Sequence, residues 1–280
     1  MGYKTILVHC DASKGIAGRL DAALELGKRF DAHVVGLHVR RRFEAPMFTD
    51  GGFAMDSLYQ NYEEGVKAEE TAASEQFNKA VGRFSTPSTE WRVVGGYLDD
   101  VLGDEARFAD LILVGQADPE TTALGTPSDL AESVALSTGR PVLVVPHIGL
   151  AKPPGKVVML CWNGSREAAR AASDALPFLK KADNVVLLTI DPESADDGGE
   201  AIPGVEAAEW LARHGAKVTV QRDVAANTDV GDVILSRAAD LDIDLIVMGI
   251  YGHSRMRELV LGGASRTLLA SMTAPLLISH

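Results

Sequence analysis

The sequence predicts an α/β protein of two tandem, doubly wound domains, each a five-stranded parallel sheet flanked by helices. Three observations lead there. Short Val/Ile/Leu runs alternate with helical segments, as strands buried on both faces of a parallel sheet require. The pattern occurs twice: Lys4–Ser13 (KTILVHCDAS) matches Lys156–Ser165 (KVVMLCWNGS), and Asp110–Gly115 (DLILVG) matches Asp244–Gly249 (DLIVMG). Arg140–Val144 (RPVLV) and Ala274–Ile278 (APLLI) then follow at the same distance from the glycine in both halves, an equality that duplication explains and chance does not.

In the first half, strands are expected near Thr5–Cys10, His33–Val39, Trp91–Val94, Leu111–Val114 and Val142–Val145, with helices near Gly15–Phe30, Ser57–Phe84, Asp99–Ala109 and Ser128–Ser137. In the second, strands fall near Val157–Trp162, Val185–Ile190, Val218–Gln221, Leu245–Met248 and Leu276–Ile278, with helices near Arg166–Lys180, Val205–His214, Val230–Leu241 and Gly263–Ser271. Pro153, Pro154 and Gly155 punctuate a linker over His147–Gly155, so the domains are expected at 1–147 and 155–280. Arg40–Ser85 is a long stretch with no counterpart in the second half, which has only an acidic loop, Asp191–Glu200. It reads as a longer surface helix, or as a lid or partner surface.

The 280 residues suit two domains, and 46% apolar with 24% charged residues is ordinary globular composition. A net charge of −12 disfavours general nucleic-acid binding, because a phosphate backbone would be repelled. Cys10 and Cys161 lie on apolar strand patterns and read as buried thiols rather than a disulfide framework. No charged leader with an apolar stretch opens the chain, and no apolar run reaches the roughly 18 residues that would span a bilayer. A cytoplasmic protein without membrane contact is expected.

The chemistry concentrates after Leu245–Met248, in GIYGHSRMRELVLGGASRTLL. Gly249 and Gly252 frame a turn at a strand's carboxyl end, where open α/β sheets bind ligands. Glycine allows positive φ and close approach of a ligand to the backbone. Gly262 and Gly263 open the next helix, with Ser265 in its first turn, so free amides, a helix dipole and a hydroxyl face one place. His253, Arg255, Arg257 and Arg266 stand in or beside the loop against a single acid, Glu258, which is unexpected in so acidic a protein. An anion, most naturally a nucleotide phosphate, fits. A plainer reading makes the glycines turn and cap residues and the arginines a solvated face.

The first half is an internal control. Only Gly115 is retained opposite Gly249; Asp118, Ser128, Asp129 and Glu132 stand opposite Gly252, Gly262, Gly263 and Arg266. Thr126-Pro127-Ser128-Asp129 reads as an ordinary capped helix start. An aspartate there would occupy the dipole and repel phosphate, so the first half is expected not to bind a nucleotide by this loop.

Strand–Gly249-x2-Gly252-x9-Gly262, followed by small and polar residues, resembles the signature of the universal stress protein family, and the opening strand with its polar turn in both halves is similar too. The resemblance covers nearly the whole chain, as a tandem two-domain member. It implies a Rossmann-like domain, akin to the adenine nucleotide alpha hydrolases, that binds ATP, with Mg2+ as a companion of the phosphates. By position it implies phosphate contacts from Gly249, Gly252, Gly262, Gly263 and Ser265, with Met248 beside the nucleotide and Asn163 at its nucleoside end. His253 and Arg255 join this set as loop cations. Two departures stand out: Asn163 replaces an aspartate, and Gly263 replaces a Ser or Thr after the third glycine. The resemblance also implies pairing of the last strands, Val142–Val145 and Leu276–Ile278, as a pseudo-dimer, and further association into a homodimer.

Other chemistry is not indicated. The loop is neither a Walker A motif nor G-x-G-x-x-G, and no G-x-S-x-G, H-E-x-x-H or paired C-x-x-C is present. His253 has no identifiable orienting partner and reads as a loop or anion-contacting residue rather than a general base. Acid pairs such as Glu63-Glu64, Glu69-Glu70 and Asp196-Asp197 read as solvated faces. Trp162 either stacks on a base or packs in the core. The function expected is a stress-response protein that binds an adenine nucleotide in its C-terminal domain without efficient catalysis, any ATP hydrolysis being slow. The alternatives are an interaction and dimerisation module of the same fold, or a sensor of small anions or adenine metabolites.

Overall fold

The computed structural model describes residues 2–43, 52–84, 88–118, 126–190, 204–251 and 263–280. In the first half, β1 (Thr5–His9), α1 (Ile16–Phe30), β2 (His33–Arg41), α2 (Gly52–Val81), β3 (Ser88–Gly96), α3 (Leu98–Ala106), β4 (Leu111–Gly115), α4 (Leu130–Thr138) and β5 (Val142–Val145) alternate. The second half repeats the alternation with β6 (Val157–Cys161), α5 (Arg166–Asp174), α6 (Leu176–Leu179), β7 (Asn184–Ile190), α7 (Val205–Arg213), β8 (Val218–Asp223), α8 (Val230–Asp240), β9 (Leu245–Gly249), α9 (Gly263–Ser271) and β10 (Leu276–Ser279).

The strands form one ten-stranded sheet in the order β3-β2-β1-β4-β5-β10-β9-β6-β7-β8. Neighbours are parallel within each half. At the centre β5 and β10 pair antiparallel, with Leu276 opposite Val144 and Ile278 opposite Val142. Strands buried on both faces explain the continuous apolar runs. Leu7, Ile112, Val144, Met159, Ile246 and Ile278 face one helical layer; Ile6, Val8, Leu113, Val158, Val247 and Leu277 face the other.

The repeated aspartate before the fourth strand of each half has a structural task. Asp110 accepts from the amides of Lys4 and Thr5, at 2.7 and 3.0 Å. Asp244, buried, accepts from Gly155, Lys156 and Val157 at 2.7, 3.0 and 3.0 Å. Each closes the amino end of its sheet, where strand amides lack a ladder partner. The halves also lock through side chains: Tyr3, Phe30 and Phe178 pack edge to face or tilted at 5.1–5.6 Å, and Tyr3 donates to the carbonyl of Asp174 at 2.7 Å.

Three expectations need correction. The helix expected over Arg166–Lys180 breaks after Asp174, because Pro177 has no amide to continue the ladder and its ring crowds the preceding turn. The fourth helix of the first half starts at Leu130 rather than Ser128, and the Asp129 side chain at its N-cap accepts no capping bond. Cys10 is buried, whereas Cys161 is only partly so. The inserted helix α2 packs through its C-terminal part, where Ala73, Phe77 and Ala80 are buried and the Phe77 ring fits against Gly36 only because that residue has no side chain. Leu58 and Tyr59, earlier on α2, are exposed. No helix among the described residues is long and apolar enough to cross a membrane.

Candidate functional site

In each half the strand order reverses between the first and fourth strands: between β1 and β4, and between β6 and β9. Crevices at the carboxyl ends of such switch points are where doubly wound sheets bind ligands. Gly249 ends β9 at one of them, beside the turn that follows β6.

That turn is built locally. Gly164 adopts φ +76°, the Asn163 carboxamide oxygen accepts from the Ser165 amide at 3.1 Å, and the Ser165 hydroxyl caps α5 by accepting from the Ala168 amide at 3.1 Å. Asn163 is therefore exposed and holds its own turn. Trp162 packs, partly buried, against the core beside Gly204, which favours the core reading for it. Gly249 is tightly constrained. A Cβ there would lie 2.3 Å from the carbonyl carbon of Glu167 and 2.6 Å from the amide of Ala168, both backbone atoms. The first turn of α5 thus lies on Gly249, a second reason for glycine beyond the approach of a ligand. Glu167 itself is buried and pairs with Arg166. Met248 is buried in the core.

The start of α9 lies beside the start of α8. Asp229 caps α8 by accepting from the Gly231 amide at 2.8 Å, and its other oxygen lies 3.3 Å from where a Gly263 Cβ would be. Gly231 faces Thr267 and the Ala264 carbonyl so closely that a Cβ would sit 2.6 and 2.9 Å from them. Two helix N-termini therefore converge, with Gly263 exposed and Ser265 buried in the first turn of α9. Sequence reasoning missed Asp229. Its N-cap pattern is legible in the chain; its place beside Gly263 is not. The loop leaves β9 through Ile250 and Tyr251. Tyr251 has φ +62°, unusual for a bulky residue, and its ring meets that of His280 edge-on at 6.1 Å. Burial, with the charges of Glu132 and Asp129 across the seam, raises the Tyr251 hydroxyl pKa. Gly252, His253, Arg255 and Gly262, with Arg257 and Glu258, lie outside the described residues.

The matching crevice of the first half is filled. Asp11 is buried and accepts from Arg19 at 2.5 Å, from the Ser13 hydroxyl at 2.5 Å and from the Thr126 hydroxyl at 2.8 Å. Burial alone would raise its carboxyl, but Arg19, His9 and the two hydroxyls hold it well below the usual range. The Arg19 guanidinium lies across Gly115, so that a Cβ there would be 2.1 Å from Nη1. What remains is a cavity of about 10 Å³ lined in part by Ser13, Arg19, Gln116, Thr126 and His147, room for little more than a water molecule. His9 and Cys10 adjoin this cluster. Burial lowers His9 to about 4, against the pull of Asp11, and pushes the Cys10 thiol up to about 12. At the paired helix starts, burial and the charges of Asp129 and Asp100 raise Asp99, while burial and Asp129 raise Glu132 against Arg266.

Residues 155–280 match the universal stress protein family model. The universal stress protein Slr1230 of Synechocystis sp. is 28% identical over 189 residues, which cover 65% of this chain and 62% of that protein, so the match spans less than two thirds of the relative's length. A universal stress protein from Archaeoglobus fulgidus shares the fold across the molecule, with a TM-score of 0.69 at 16% identity over 98% of this chain and 95% of that one. The functionally unknown protein PA1789 from Pseudomonas aeruginosa shares it at a TM-score of 0.55 and 14% identity, over 99% and 92%. The family resemblance thus rests on residues 155–280, the half that keeps the glycine loop in its sequence, and the structures similar across the whole chain share its fold.

Proposed function

We propose that the protein binds an adenine nucleotide, ATP, in its second half and does not catalyse an efficient reaction, with 1–147 and 155–280 as its two structural units. One observation carries this reading: the half that matches the family model is also the half whose sequence keeps the loop glycines after β9 and no aspartate at the start of α9. Free amides at that start and the dipole of α9 favour phosphate, and Ser265 adds a hydroxyl. Met248 and Gly249 border the crevice on β9, Asn163 on the turn after β6. Gly252, His253, Arg255 and Gly262 complete the phosphate end. Mg2+ on nucleotide phosphates takes one or two carboxylates in addition, and the Asp229 oxygen beside Gly263 would supply one. The carboxylates near Gly249 and Gly263 are engaged: Glu167 with Arg166, Asp229 with the Gly231 amide. With Glu167 paired and Asp229 given to its cap and to Mg2+, any ATP hydrolysis is slow. The protein acts in the cytoplasm, without nucleic-acid or membrane partners, and homodimerises.

Titration calorimetry of the intact chain with Mg-ATP should show one site per chain. Gly263→Asp installs the residue that Asp129 represents in the first half, beside Asp229, and should weaken ATP at least tenfold, about 1.4 kcal/mol, through like-charge repulsion and loss of the dipole. No heat at roughly millimolar ATP, and no change on Gly263→Asp, would remove the proposal.

A second reading, an interaction module without nucleotide, draws on Asn163, whose acceptor closes its own turn. Mass spectrometry of denatured protein separates the two, since a co-purified adenine nucleotide contradicts the module.

A further inference from the structure

We infer that Gln116, on the first half, is a positioning residue for the second half's anion site, an inference that rests on the nucleotide reading above. The helix that opens this site, α9, has nine residues, a rod about 13 Å long. Its last carbonyls have no partners within the helix and need donors from elsewhere.

The matching helix α4 closes its own end. Gly139 adopts φ +60° and its amide returns to Ala135 at 3.3 Å, while the Thr138 hydroxyl donates to Val134 at 2.7 Å. At the place of Gly139, the second half carries Thr273. There the Gln116 Nε2 donates to the carbonyls of Leu269 and Ala270, at 2.9 and 3.1 Å. A first-half side chain therefore caps the second-half helix.

Gln116 is suited to hold a position. It is only 6% exposed. Its Oε1 accepts from the amide and from Nδ1 of His147, at 3.1 and 2.9 Å. Two backbone carbonyls on one side and a backbone amide on the other fix which way the carboxamide points. Its own amide donates to the Val145 carbonyl at 2.8 Å, which ties it to the first half's sheet. The arrangement is one-way: Ile250, which stands opposite Gln116 in the repeat, is fully buried and has no polar side chain to return the contact. The N-terminus of α9 is thus set from two directions, by the close contact of Gly231 with Thr267 and Ala264 and by the Gln116 cap at the far end. Donors at the C-terminus also complement the helix dipole.

The test uses the full chain with Gln116→Glu and Gln116→Leu. Glu keeps the acceptor for His147 but turns a carboxylate toward the α9 carbonyls; Leu removes both contacts. Hydrogen exchange of the nucleotide-free protein should show faster exchange in α9 for both variants. ATP should bind about fivefold to tenfold more weakly, with adenosine unaffected, because the change reaches the phosphate end. Wild-type ATP affinity in Gln116→Glu, or an equal loss for ATP and adenosine, overturns the positioning role. A wild-type chain that binds no ATP removes the nucleotide reading itself, and the positioning role with it, whatever the exchange shows.

Discussion

The two switch points of this molecule share a framework and are filled in opposite ways. In the first half Arg19 lies over Gly115 and pairs with buried Asp11; at the same places the second half has Ala171 and exposed Asn163. In the first half acids gather where α3 and α4 begin, enough to raise Asp99 and Glu132; in the second, Gly263 and Arg266 replace two of those acids and Asp229 remains. Duplication supplies two crevices, and a few substitutions make one a closed polar core and leave the other a candidate for an anion. The first half remains in use as a frame, through Gln116 and the β5–β10 seam.

The largest test of that contrast is Arg19→Ala, which leaves Asp11 buried and unpaired. It should cost about 3–5 kcal/mol in denaturant unfolding. The double variant Asp11→Asn/Arg19→Ala installs the second half's own pair and should recover most of the loss. If the double variant is as unstable as Arg19→Ala, the two crevices are not exchangeable and the comparison breaks.

The next is pH. His9, held to about 4 by burial, is neutral when folded, and Cys161 stands at its place in the second half. Above pH 6.5 neither folded nor unfolded chain protonates His9, so nothing is lost. Between pH 6.5 and about 4 the unfolded chain takes a proton that the folded chain refuses, and stability falls, on the order of 3 kcal/mol in all. Below about 4 both states bind it and this contribution is constant. Thermal unfolding across this range should show the fall, and His9→Gln should flatten it. The smallest expected effect is Gly249→Ala, which presses a methyl against the backbone of α5 and should cost about 1–3 kcal/mol. An unchanged melting temperature would mean that α5 is not seated on β9 as described.

The fold was legible to within a few residues because each strand is a short apolar run and each helix carries its own periodicity. Pro177 shows where local reading fell short, since the long helix pattern was accepted across it. At the site, the glycines and the charge contrast between halves were legible. Asp229 beside Gly263, Arg19 over Gly115 and Gln116 at the end of α9 were not, because each is a contact between segments far apart in the chain.

The sequence by itself determined the repeat, the alternation of elements and which half retains the glycine loop. These are properties of neighbours along the chain: period, propensity and spacing. The tertiary structure decided what fills each crevice and what holds α9 from behind. Those depend on which side chains meet once β5 and β10 join the two sheets, and burial then sets their charge and their room to move.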